Sequence, residues 1–302
     1  MAGHITNRGR LRILETVYDG RTPPSNFWLA LCTNATPPSR TTNTFGELTQ
    51  IAAGNGYAAN GMSVSRNDTD FPAADQTEDD TNNWAQVAVR DIGWSASGGQ
   101  IPISGGAARW AVLLDSNATP ASREVIVYWD LGSDRIVSTG QPLTLQDSTI
   151  RLAFQAGLTN RGALRELQWY FAGRTLPANY NFALTTNGTP PTDDTNTFSQ
   201  VSEIATGNGY TGAVSVAKGT GFDTPTEDDT AHFGEVQLVD QVFTASGGPL
   251  PSDSVGARWA TLLDDNATPA NREVIRYWDL VNDRVVSDGN PMTVSNAALR
   301  IA

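Results

Sequence analysis

Apolar residues along this chain fall into short runs separated by Gly, Pro, Asn, Asp and Ser, the pattern of many short strands joined by tight turns. Trp84 to Val89 alternates apolar and polar positions, as a half-buried strand does. Phe27–Thr33, Tyr180–Thr186, Arg109–Asp115 and Val125–Leu131 read as further strands, and Leu143–Leu145 and Ile150–Leu152 as short closing ones. Helical spacing occurs in two places. Leu11, Leu14 and Tyr18 form one stripe ahead of Gly20, and Leu164, Leu167 and Phe171 form another ahead of Gly173. Each stripe is expected to dock one apolar face on a sheet or on a neighbouring subunit. The expected fold is all-β: two tandem β-sandwich or jelly-roll-like domains, each preceded by a short helix.

The two sets of elements belong to an internal repeat. Asn7-Arg8-Gly9 recurs as Asn160-Arg161-Gly162, and Gly54-Asn55-Gly56-Tyr57 as Gly207-Asn208-Gly209-Tyr210. Thr77-Glu78-Asp79-Asp80-Thr81 recurs as Thr226-Glu227-Asp228-Asp229-Thr230, and Tyr128-Trp129-Asp130-Leu131 as Tyr277-Trp278-Asp279-Leu280. About half of the aligned positions are identical, and the period is domain-sized, too long for a solenoid unit. Domains are expected at residues 1–156 and 157–302.

The net charge of −12 opposes direct nucleic-acid binding, which needs clustered Lys and Arg, and suits an abundant protein kept soluble. The single cysteine, Cys32, lies in an apolar run and aligns with Thr185, so it reads as a buried small residue. The amino terminus lacks the apolar stretch of a signal peptide, and no segment has the length of a membrane span. His4 falls in an expected mobile tail, and His232 aligns with Asn83. A Ser-His-Asp, Cys-His or histidine-zinc site duplicated with the fold is therefore excluded.

The acidic runs Glu78-Asp79-Asp80 and Glu227-Asp228-Asp229 offer oxygen ligands for calcium, or residues of a solvated turn. They lack the alternating Asp-x-Asp-x-Asp-Gly spacing of a calcium loop, which favours the turn. Trp110, Trp129, Trp259 and Trp278 are expected in the cores, with Arg109 and Arg258 paired to carboxylates at strand ends. The Gly-Asn-Gly-Tyr segments read as turns, and the Asn-x-Thr triplets, such as Asn117-Ala118-Thr119, as Asn-led turns before proline. No catalytic, cofactor-binding or metal-binding residue is assigned.

In order along each copy come a helix, a strand of the type Phe27-Trp28-Leu29-Ala30-Leu31, the turn Gly54–Tyr57, and the pattern Ser95-Ala96-Ser97-Gly98-Gly99 followed by Ala108-Arg109-Trp110-Ala111-Val112-Leu113. This order resembles a family of bacteriophage virion structural proteins and covers nearly the whole chain. The resemblance implies small β-sandwich modules of heads or tails, with no catalytic residues; tandem duplication departs from the usual single module. The expected function is a non-enzymatic capsid decoration (cement) protein that binds the outer shell and bridges capsomers. A tail component (tube, collar or fibre base) and a host-glycan-binding module are the alternatives. Expected partners are the major capsid protein or other virion proteins and further copies of the chain, a trimer giving pseudo-sixfold symmetry. No nucleic acid or membrane partner is expected, and the place is the virion, after synthesis in the host cytoplasm.

Overall fold

The computed structural model describes residues 1–153 and 155–302. The first half runs β1 (Ala2–Ile5), α1 (Asn7–Val17), β2 (Asn26–Cys32), β3 (Met62–Ser65), β4 (Thr77–Asp79), β5 (Trp84–Val89), β6 (Ile92–Ser95), β7 (Ala108–Leu114), β8 (Val125–Arg135), β9 (Pro142–Leu145) and β10 (Ser148–Ala153). The second runs α2 (Asn160–Tyr170), β11 (Asn179–Thr185), β12 (Val214–Ala217), β13 (Thr226–Asp228), β14 (Phe233–Leu238), β15 (Gln241–Thr244), β16 (Ala257–Leu263), β17 (Val274–Arg284), β18 (Pro291–Val294) and β19 (Ala297–Ile301). The fold is all-β with two helices among the described residues, and from each helix onward the element order repeats. Irregular register falls at the same places in both copies, within β7–β8 and within β16–β17.

The halves differ at the amino terminus, which is a strand and not the expected mobile tail. In the first half, β1 pairs parallel with β10 and antiparallel with β8. It thereby joins β3-β2-β7-β8 to β10-β5-β4 in one eight-stranded sheet. His4 pairs with Tyr128, on which its ring stacks at 5.1 Å. In the second half a single bridge, Leu158 to Arg276, stands at the corresponding place. The sheet stays divided into β12-β11-β16-β17 and β13-β14-β19. The first copy therefore opens on a strand, before the helix expected to open it.

The helices occupy the middle of the molecule. A threonine begins each: the Thr6 hydroxyl accepts the Gly9 N–H at 2.8 Å, and Thr159 accepts that of Gly162 at 2.8 Å. α1 packs on β8 of its own half and on β13 and β14 of the other; α2 packs on β17 and on β4 and β5. The helices also touch each other. Burial is consequently wider than the single apolar stripe expected from the sequence. In α1 it takes in Asn7, Gly9, Arg10, Ile13, Thr16 and Val17 as well as Leu11 and Leu14. One continuous apolar core runs through both halves.

The aromatic residue ending each helix enters the opposite half. Tyr18 sits between Tyr180 and Phe222, at centroid distances of 5.4 and 5.2 Å. Phe171 sits between Phe27 and Phe71, at 5.5 and 5.8 Å. Helix-end carbonyls, which lack intrahelical donors, are satisfied from across the same boundary. The Tyr180 hydroxyl donates to Val17 O (2.9 Å) and the Gly219 N–H to Tyr18 O (2.8 Å). Arg66 donates to Tyr170 O (2.8 Å) and to Trp169 O.

One corner of this arrangement is polar and its counterpart is not. The Glu166 carboxylate accepts from the Tyr18 hydroxyl at 2.5 Å and from Arg276 at 2.7 Å, all three side chains being buried. Burial and the Glu166 charge together push the Tyr18 hydroxyl well above its ordinary pKa, so it stays a donor. The aligned residues in the other half-site are Ile13, Val127 and Phe171, all fully buried.

Two predictions follow from this packing. A Cβ on Gly9 would lie 2.3 Å from the Ile126 carbonyl oxygen, and one on Gly162 would lie 2.2 Å from that of Ile275. Gly9→Ala and Gly162→Ala each lower unfolding free energy by about 1–3 kcal/mol in denaturant titration, despite the better helix propensity of alanine. Glu166→Ala, which strands the Arg276 charge, costs about 3–5 kcal/mol in the same assay. Tyr18→Phe, Glu166→Ile and Arg276→Val made together lose no more than about 1 kcal/mol, because they copy the apolar corner.

Candidate functional site

The most repeated polar motifs are each other's partners. Asn-Arg-Gly starts each helix, and the Glu-Asp-Asp run lies on the opposite half's β4 or β13 and the turn after it. Arg8 pairs with Glu227 at 2.7 Å and Arg161 with Glu78 at 2.6 Å. Asn7 donates to Asp229 at 2.8 Å and Asn160 to Asp80 at 3.2 Å. Asp79 and Asp228 close the turns, accepting N–H groups of Thr81 and Asn82, and of Thr230 and Ala231. The reciprocity is that of an isologous dimer interface formed within one chain. Part of the acidic run is thus a turn, as expected, but Glu78 and Glu227 are partly buried contacts and not solvated loop residues. Burial raises the pKa of both against the pull of their arginines.

The ionic chain continues into a cleft beside each helix. Glu124 is gripped by both Nε and Nη2 of Arg12, which also holds Glu15, and Glu15 in turn pairs with Arg21 at 3.0 Å. In the second half Arg165 grips Glu273 in the same fork and bonds Gln168 at 2.7 Å. Burial opposes the charge on Arg12, but hydrogen bonds to Glu124 and Glu15 outweigh it and raise its pKa. The clefts measure about 320 and 230 Å³. The first is bounded by Arg12, Arg21, Asp115, Glu124 and, from the other half, Tyr170. Asp115 accepts the N–H groups of Asn117 (3.2 Å) and Glu124 (3.0 Å), and Asp264 those of Asn266 (3.2 Å) and Glu273 (3.0 Å). Burial raises both of these aspartates. Both oxygens of Glu124 are thus taken up in an arginine fork.

A second duplicated surface lies on the outer face of β7–β8 and β16–β17. Arg109 holds Asp130 in a fork (2.7 and 3.0 Å), and Arg258 holds Asp279 (2.7 and 2.9 Å). The adjoining indole N–H groups donate to Asn34 (3.0 Å) and Asn187 (3.4 Å). The arginine pairs stand as expected, but of the four tryptophans only Trp129 is fully buried. Trp110, Trp259 and Trp278 are half-exposed. Trp110 lies outside the main core, over a satellite cluster of Ala30, Cys32, Phe45, Val112 and Leu114. Trp278 lacks the strand that covers Trp129, where β1 places Gly3 against the indole.

The remaining sequence candidates have local roles. Asn55 and Asn208 take positive φ between the glycines of their turns, and the Tyr57 and Tyr210 hydroxyls accept the Leu31 and Leu184 N–H groups at 2.9 and 3.2 Å. Cys32 is buried and its thiol is pushed up to about 12, so it stays protonated. Asn117 and Asn266 accept the Thr119 and Thr268 N–H groups, forming Asx turns. No group of three or more His, Cys, Asp or Glu side chains suited to a metal occurs among the described residues. No described helix is long and apolar enough to cross a membrane. Sequence reasoning missed Arg66 and the Tyr18–Glu166–Arg276 corner, whose residues are not repeated. It also missed the pairing of two motifs whose joint recurrence was the available signal. No protein-family model, curated protein or solved structure matches the chain.

The partly buried Asp115 and Asp264 set a pH dependence. Their raised folded-state pKa means that ionisation opposes folding: the stability present below the unfolded pKa is lost as pH rises through the folded one. Asp115→Asn, which keeps an acceptor oxygen, therefore unfolds at higher denaturant than wild type at pH 7. The gap closes as pH approaches the ordinary aspartate value of 3.8.

Proposed function

We propose that this chain is a non-enzymatic structural protein of a bacteriophage particle, a capsid decoration protein that docks on the major capsid protein and bridges neighbouring capsomers. The observation that carries the reading is the reciprocal clasp. Arg8–Glu227 and Arg161–Glu78 lock two copies of one β architecture at fixed separation and orientation. A rigid pair of like surfaces engages two like sites on a lattice with little entropy lost on the second contact, so modest interfaces hold firmly. The repeated polar groups support the same reading, because they are bonded to one another instead of converging on a reactive centre. The duplicated Arg109–Trp110–Asp130 and Arg258–Trp259–Asp279 surfaces are the docking faces in this reading, since half-exposed tryptophan and arginine are the usual anchors of protein interfaces. The order of motifs that resembles phage virion proteins supplies the particle. The net charge of −12 agrees with a partner that is protein and not DNA.

Purified particles resolved on a stained gel should show this chain as an intense band, and density at modest resolution should place it on the outer shell at capsomer joints. Absence from particles, or turnover of a defined compound by the purified chain, sinks the proposal; density confined to the tail would replace decoration with a tail role.

A further inference from the structure

Arg10 is 4% exposed and has no acidic partner. Its Nη1 donates to Asn7 Oδ1 at 2.7 Å and to the His232 carbonyl at 3.0 Å, while its Nε has no partner. The buried Arg276, by contrast, meets the Glu166 carboxylate at 2.7 Å. Arg10 borders a cleft of about 140 Å³ whose other charged walls are Arg40 and Arg151, with His4 at the rim. Among the described residues no Asp or Glu side chain lines it, and Ala302, which carries the chain's terminal carboxyl group, also borders it. Arg151 is held against the Trp84 ring at 4.5 Å and bonds Gln86 at 2.8 Å, so it stays in place. Arg10, Arg40 and Arg151 thus line one small cleft on a chain whose net charge is −12.

Arg151 recurs as Arg300, which lies over the Phe233 ring, but the other two arginines are not inherited from the repeated scaffold. The positions aligned with Arg10 and Arg40 are Ala163 and Asp193, and the Asp193 carboxylate accepts the Tyr277 hydroxyl at 2.6 Å. One half closes this place with a phenol–carboxylate hydrogen bond; the other places arginines there. A buried cation without a counter-charge is costly, and buried unpartnered donors in native proteins mark groups that meet water or an ion. Burial and the nearby Arg40 charge lower the Arg10 pKa to about 10, the strain expected of an uncompensated pair of cations.

We propose that the Arg10–Arg40–Arg151 cleft binds a single oxyanion of phosphate size. The guanidinium forks suit the oxygens of phosphate or carboxylate, and the volume suits one such group and not a nucleotide.

The test uses the full chain at pH 7 and constant ionic strength, with sodium phosphate replacing sodium chloride and sodium acetate as a parallel arm. Thermal midpoints should rise with phosphate along a saturation curve, by about 2 °C per tenfold increase beyond half-saturation. Acetate reproducing the rise identifies a carboxylate-tolerant site; phosphate alone identifies a tetrahedral one. Arg40→Gln, at an exposed position, folds and loses the rise, whereas Arg174→Gln, outside the cleft, keeps it. An unchanged midpoint in wild type, or an equal rise in Arg40→Gln, overturns the proposal. Arg10→Met serves as a second variant: it loses the anion dependence even where its starting midpoint is lower.

Discussion

The structure depends on helix ends whose last carbonyls the opposite half completes. An α-helix leaves its last carbonyls without donors, and in an apolar interior those groups must find partners. Here Tyr180 and Gly219 serve the end of α1, and Arg66 serves the end of α2. Tyr18 and Phe171 meanwhile fill aromatic nests that belong to the other copy. The duplicated architecture is therefore one cooperative body: removing either helix would open both cores.

The surface charges are arranged around that constraint. Asn-Arg-Gly works as a unit, its first two residues reaching across the boundary while its glycine lets the helix lie against the backbone of β8 or β17. From Arg8 the ions run through Glu124, Arg12 and Glu15 to Arg21, so one chain of charges ties the clasp to the loop that follows the helix. Such connected arginine–carboxylate networks restrict orientation more than isolated exposed pairs do. This restriction gives the two Arg–Trp–Asp surfaces a defined spacing.

Much of the architecture was legible because it obeys local rules. Trp84–Val89 forms the strand its alternation requires, and the Gly-Asn-Gly-Tyr turns take positive φ where their glycines and asparagines allow it. The amino-terminal residues were misread because Ala, Gly and His have little intrinsic β character and only Ile5 of the four strand residues favours it; the place of the strand comes from the gap between β8 and β10. Trp129 is in the core as expected, but Trp110, Trp259 and Trp278 are half-exposed, because burial of a large amphipathic side chain depends on what lies over it, and among the described residues no strand covers Trp278 as β1 covers Trp129. The mutual pairing of Asn-Arg-Gly with Glu-Asp-Asp was visible only as two separate recurrences, since spacing along a chain does not reveal contact across an interface.

The uneven corner at Glu166 has a consequence for folding in a crowded cell. If two first halves from different chains closed on each other, the Tyr18 hydroxyl would be sealed against Ile13 and Val127 without an acceptor. If two second halves did so, Phe171 would face Glu166 and offer it nothing. Only unlike halves give the buried Tyr18 hydroxyl its acceptor, so one phenolic oxygen sorts correct from incorrect partners among nearly interchangeable surfaces.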